Sequence, residues 1–204
     1  MRDAWYADKR DLVKWAGITH LCSIEMIKNI VYVAYYRRNE WSTLLFDGAD
    51  ITLEQQVLNH FRNLRDIDRL AGRMGLNIKV IEREFDHATR MDYTQKVLDE
   101  IRTISQRKVV FLDPDVGIAV GRCKAQHVKP EEVTMIWRSL NPQDFLVLYQ
   151  HRFRSSDWME RSRSQFAAAC GVKTNRVKVW LAKQIAHDLV LAKDVVCFFI
   201  RKVV

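Results

Sequence analysis

Glycine is scarce in this chain, seven in 204 residues, and no GxGxxG or P-loop sequence occurs. The first strand-like run, Val31-Tyr32-Val33-Ala34-Tyr35-Tyr36-Arg37, holds no glycine at all. That argues against the usual dinucleotide or ATP phosphate cradle. A Gly-x-Ser-x-Gly nucleophile elbow is missing too. The four cysteines, Cys22, Cys123, Cys170 and Cys197, are scattered without CxxC spacing. Such scatter suits free thiols in a reducing cytosol better than a disulfide framework or a zinc site. No stretch approaches the roughly 18 apolar residues of a membrane span. Met1-Arg2-Asp3-Ala4-Trp5-Tyr6 lacks the apolar core of a signal peptide. Repeats, low-complexity tracts and linkers are absent. Together these absences predict a cytoplasmic, non-membrane chain folded as one domain over residues 1–204, its oligomeric state open.

The charge is plentiful and unevenly placed. The net charge is +8, yet residues 151–204 hold eleven Lys/Arg against four Asp/Glu, so that segment carries nearly all of it. A basic asymmetry of this kind predicts an anionic partner, with nucleic acid the usual candidate. Arg152, Arg154, Arg161 and Arg163 form the densest group. Arginine forks bind phosphate bidentately. Trp158 lies among them and reads as core rather than as a stacking platform for bases.

Apolar periodicity predicts alternating strands and helices. Asp8–Cys22 reads as a helix with Leu12, Trp15, Ala16, Thr19 and Cys22 inward; Asp8, Asp11 and Lys14 form a neighbouring polar stripe, read as a solvated face ahead of a site. Ile30–Tyr36 is a buried strand, and residues 37–50 are loop-like around Asp47-Gly48, with room for a short hairpin. Thr52 with Gln55 forms a capping box opening a helix to about Met74, striped by Leu53, Val57, Phe61 and Leu64. Strands follow at 77–85 and 108–113, with a helix at 93–106 between them. Pro130-Glu131-Glu132 starts a helix to about Leu140. Phe145–Tyr149 is a strand, residues 157–169 a helix, and Arg176–Leu181 with Val195–Ile200 a final antiparallel pair. This alternation predicts an α/β fold: a single-domain, mostly parallel sheet flanked by helices, with a C-terminal antiparallel strand pair.

The densest chemistry lies in Val109-Val110-Phe111-Leu112-Asp113-Pro114-Asp115-Val116-Gly117. A buried strand there runs into two carboxylates at a loop, the edge where open α/β sheets bind ligands. Buried acids are costly unless a metal, a cation or a substrate donor offsets them. The same edge gathers Arg37, Glu82 or Glu84, and His151 with Arg152. Asp113 and Asp115 suit Mg²⁺ or Mn²⁺, with Glu82 or Glu84 as an auxiliary ligand. His151 would then be a general base, and Arg152 and Arg154 phosphate clamps. Lys124 and His127, in the loop after Gly117 and Gly121, also face this centre as substrate-binding candidates. The leading expectation is metal-assisted phosphodiester hydrolysis. A second is methyl transfer, and a third a non-catalytic nucleic-acid-binding module.

Three blocks carry a resemblance. Asp8-Lys9-Arg10-Asp11-Leu12-Val13-Lys14, Asp113-Pro114-Asp115-Val116-Gly117 and Tyr149-Gln150-His151 resemble a family of uncharacterised bacterial and phage proteins. That family pairs a Gly-Asp-x-x-Asp-x-x-Lys segment with an Asp-Pro-Asp-x-Gly strand; here Ala7 stands at the glycine. More distantly, Asp113-Pro114 and the final strand pair are similar to Rossmann-like nucleic-acid methyltransferases. That similarity implies a methyltransferase-like sheet, S-adenosylmethionine as cofactor and Asp113 orienting the acceptor amine. The chain departs from that class at Asp115 and in the missing first-strand glycine loop.

Overall fold

The computed structural model describes residues 9–37, 43–46, 48–52, 54–56, 66–181, 183–184, 189–190 and 193–203. In chain order the elements are α1 (Lys9–Ile24), β1 (Asn29–Val33), β2 (Thr43–Phe46), β3 (Ala49–Thr52), α2 (Ile67–Met74) and β4 (Asn77–Val80). Next come α3 (Arg90–Thr103), β5 (Lys108–Leu112), β6 (Gly117–Ile118), β7 (His127–Val128), α4 (Pro130–Ser139) and β8 (Phe145–His151). The chain ends with α5 (Trp158–Ala169), β9 (Lys178–Trp180), β10 (Lys183–Gln184), β11 (Leu189–Val190) and β12 (Val195–Arg201).

Six strands form one sheet in the order β4-β1-β5-β8-β12-β9. The first four run parallel, and β12 lies antiparallel between β8 and β9. The expected α/β architecture with a mostly parallel sheet and an antiparallel C-terminal pair is therefore present. Alternation within each strand divides its side chains between two cores. Val31, Val33, Val110, Leu112, Leu146, Leu148 and Phe198 face α3, α4 and α5, meeting Tyr93, Val97, Ile101, Val133, Ile136 and Phe166. Ile30, Tyr32, Val109, Phe111, Val147 and Tyr149 face α1 and α2, meeting Trp15, Ile18, Leu21 and Ile67. Trp158 is buried, as expected of a core residue.

Several boundaries differ from the sequence reading. In α1 the inward face is Asp11, Lys14, Trp15, Ile18, Leu21 and Cys22, while Leu12 is 66% exposed and Ala16 is also outside. The expected solvated stripe is thus partly buried, because Lys14 brings its own counterions; Asp8 lies outside the described residues. Strand β1 stops at Val33, three residues early, since Tyr35 turns into the left-handed region at φ 47°. Thr52 pairs with Thr43 and closes a β2–β3 hairpin instead of capping a helix. The helical stripe Leu53, Val57, Phe61 and Leu64 lies outside the described residues. Strand β4 ends at Val80 and α3 begins at Arg90. The C-terminal pair forms between β9 and β12, but β12 enters the sheet beside β8.

Candidate functional site

The three sequence blocks meet at the C-terminal edge of the parallel strands. Phe111 faces α1, so Asp113, two residues on, continues that face just past the end of β5. Its backbone N–H still donates to the Val33 carbonyl at 2.9 Å. Lys14, descending from α1, places its Nζ 3.0 Å from each Asp113 oxygen and 2.8 Å from Asp11 Oδ1. The Tyr32 hydroxyl donates to Asp113 Oδ2 at 2.8 Å, and the Lys14 ammonium lies 4.3 Å from the centre of the Tyr149 ring. Trp15, Tyr32 and Phe111 form the aromatic floor, with Tyr32 and Phe111 stacked at 5.4 Å. Asp11, Lys14 and Asp113 are all buried.

Burial alone would drive the Lys14 ammonium toward neutrality. Asp113, Asp11 and Tyr149 outweigh that, and the net effect holds its pKa well above the ordinary lysine range. The Tyr149 hydroxyl is pushed up by burial, only partly offset by Lys14. Nearby Cys197 is pushed up to about 12 by burial, which leaves it an inert thiol.

A second cluster lies beside the first. Asp194, just before β12, accepts from Arg10 Nε at 3.1 Å and lies 3.0 Å from His151 Nε2. The other imidazole nitrogen, Nδ1, sits 2.9 Å from the Arg152 carbonyl. Burial works against the Asp194 carboxylate, but Arg10 and His151 hold its pKa below the ordinary range. Both His151 nitrogens thus face acceptors, and the ring ties β8 to the start of β12. His151, the expected general base, thus has a protein oxygen within 3.0 Å of each ring nitrogen.

The rest of the motif is wired to the loop beyond it. Asp115 forms an ion pair with Arg37, across from the end of β1. Gly117 has φ 114°, and a Cβ built there would lie 2.1 Å from Gln150 Oε1. Gln150 accepts from the Ile118 N–H at 3.0 Å and donates to the carbonyls of Val116 and His151, each at 2.9 Å. Further along, the Lys124 N–H donates to His127 Nδ1 at 3.2 Å, so the neutral ring carries its proton on Nε2. Burial lowers the His127 pKa, and the charges of Lys124, Arg90 and Arg37 lower it further. Arg90, on α3, donates to Glu132 Oε2 at 2.8 Å and to the His127 carbonyl at 2.9 Å, locking this loop to α4.

Of the candidates named from sequence, Asp113, Asp115, His151, Arg152, Arg154, Lys124 and His127 come to one edge. Glu82 lines a separate open cleft at the outer strand, with Lys79, Lys96 and Glu100; Glu84 is exposed on the segment after β4. The side chains that complete the site but were not singled out are Tyr32, Gln150, Arg10 and Asp194. Of these, Arg10 and Gln150 lie inside the quoted sequence blocks, whereas Tyr32 and Asp194 do not.

This donor set does not fit a resident Mg²⁺ or Mn²⁺. Both Asp113 oxygens face an ammonium, one also a phenol, and Asp115 faces a guanidinium. No group of three His, Cys, Asp or Glu side chains gathers among the described residues. S-adenosylmethionine fits no better. At the turn after β1, the Tyr35 N–H is spent on the Tyr93 hydroxyl at 3.1 Å, and the Tyr35 ring packs against Phe85 and Tyr93. Both Asp113 oxygens are likewise engaged, by Lys14 and by the Tyr32 hydroxyl. No helix of the described residues is long and apolar enough to cross a membrane. Compared with family models, curated proteins and solved structures, the chain finds no match.

Proposed function

We propose that the protein is a nucleic-acid-binding α/β module of Rossmann-like, methyltransferase-like design that meets phosphate at the C-terminal edge of its parallel strands. The antiparallel β12 between β8 and β9 is the feature of the sheet that favours this comparison. One observation carries the binding reading: the edge acids have internal cations, while the edge cations beyond them have no acids among the described residues. Asp113 is matched by Lys14 and Asp115 by Arg37. Arg152 and Arg154 follow β8 at the same edge, exposed and without an ion-pair partner among the described residues. Arg122 and Lys124 extend the same surface from the loop after β6. In this reading Asp113 holds the edge in shape, and the positive charge is left for a polyanion.

Binding of a fluorescein-labelled oligonucleotide, followed by anisotropy across a salt series, tests this. Affinity should fall linearly in log–log form with salt. Arg152→Ala/Arg154→Ala should lower the slope by about 1.5 to 2. Chelation should leave binding intact and the oligonucleotide uncut. Binding that needs Mn²⁺, or strand cleavage lost in Asp115→Asn, would return the site to metal-assisted hydrolysis.

A further inference from the structure

In the strand order β4-β1-β5-β8 the chain leaves β1 toward β4 and leaves β5 in the opposite direction, toward β8. In an open α/β sheet the crevice between such a pair, outside the carboxyl ends of the strands, is the preferred ligand position. One ion pair straddles it here. Arg37 comes from the segment after β1 and Asp115 from the segment after β5, and each side chain is about one-fifth exposed. A carboxylate and a phosphate offer an arginine fork the same pair of anionic oxygens. Asp115 therefore occupies Arg37 as a phosphate would.

The surroundings of this pair favour an anion. Lys124 and Arg122 are exposed at the loop rim with no ion-pair partner among the described residues. His127 presents an N–H from Nε2 because its Nδ1 is already accepting from the Lys124 amide. Buried Arg90, itself paired with Glu132, fixes this loop from below by donating to the His127 carbonyl at 2.9 Å. We infer that the Arg37–Asp115 pair is a latch over a phosphate-binding crevice, in which a nucleic-acid phosphodiester displaces Asp115 from Arg37. This rests on the nucleic-acid-binding reading above and adds to it a specific phosphate contact and an internal competitor.

The latch has a sign that the other readings lack. Removing the competitor should tighten binding, whereas removing a metal ligand should abolish activity. Asp115→Asn should raise oligonucleotide affinity about fivefold, the scale of one ion pair released. Asp157→Asn, which removes one exposed acid just before α5, controls for net charge and should gain clearly less. In an Arg37→Gln background the Asp115→Asn gain should disappear, because the gain requires the Arg37 fork. Thermal melts confirm that each variant is folded, and Asp115→Ser repeats the test should the amide disturb the loop.

Unchanged or weaker binding by folded Asp115→Asn and Asp115→Ser overturns the latch while leaving the wider reading intact. A gain equalled by Asp157→Asn, or kept without Arg37, overturns it as well. If neither wild type nor any variant binds the oligonucleotide, both readings fall. Inorganic phosphate, added at matched ionic strength, separates the two sources of the same chemistry. Failure to displace the oligonucleotide supports a backbone site, and efficient displacement overturns it in favour of free phosphate.

Discussion

Gly117→Ala should cost about 2–5 kcal/mol of unfolding free energy, from backbone strain and overpacking together. The residue sits at φ 114°, where an L side chain is strained whatever the space. Its added Cβ would also lie 2.1 Å from Gln150 Oε1 and 2.4 Å from Gln150 Cδ. Gln150 is buried and cannot withdraw cheaply. It holds the Ile118 amide and the Val116 and His151 carbonyls, the bonds that pin the Asp113-to-Ile118 segment onto β8. Chemical denaturation measures the loss directly. Pairing the change with Gln150→Ala should recover the steric part but not the backbone part, so the two substitutions should be clearly non-additive. A folded Gly117→Ala with wild-type stability would mean that the loop relaxes away from β8 freely.

The same residues show how far the sequence could be read. The strand before Asp113 was legible because a short apolar run bounded by Pro and Gly has few other readings. The clustering of Asp115, Arg37 and His151 at one edge followed from the alternation of strands and helices. Partners were harder. The stripe of Asp11 and Lys14 on a helix surface reads as solvated, since isolated lysines are almost never buried. Only the sheet beneath it, with Asp113, Tyr32 and Tyr149 on one face, makes burial affordable. That face needs the register of three strands, which no local pattern contains. The two acids of Asp-Pro-Asp similarly look like metal ligands until the positions of Lys14 and Arg37 are known. Gly117 was marked as strand punctuation, yet its reason is a glutamine 33 residues away. The entry of β12 beside β8 was likewise invisible, because hydrophobic alternation reports that a strand is buried and not which neighbour it takes.

Lys14→Met should be the other large loss, about 3–5 kcal/mol near neutral pH, because it leaves Asp113 and Asp11 buried without their shared cation. Methionine fills nearly the same volume, so packing against Tyr149 contributes little to the difference. The pH dependence identifies the cause. In the wild type the folded pKa of Lys14 lies above its unfolded value of about 10.4, so its contribution is complete below that pH. It is lost only as pH climbs through the folded value, well into alkali. In the variant, protonating either carboxyl relieves the uncompensated charge, so the deficit should shrink toward about pH 4 and grow as pH rises above it. Denaturation midpoints of both proteins between pH 4 and pH 9 should therefore diverge with rising pH. A constant gap across that range would assign the loss to packing, and Lys14 would then be a space-filling residue whose charge the fold does not use. A widening gap also sharpens the case against a metal, since a cation bound by Asp113 would substitute for Lys14, and added Mn²⁺ would rescue the variant. On the geometry of Asp11, Lys14 and Asp113 no such rescue is expected: the ammonium is the counterion that this edge was built around.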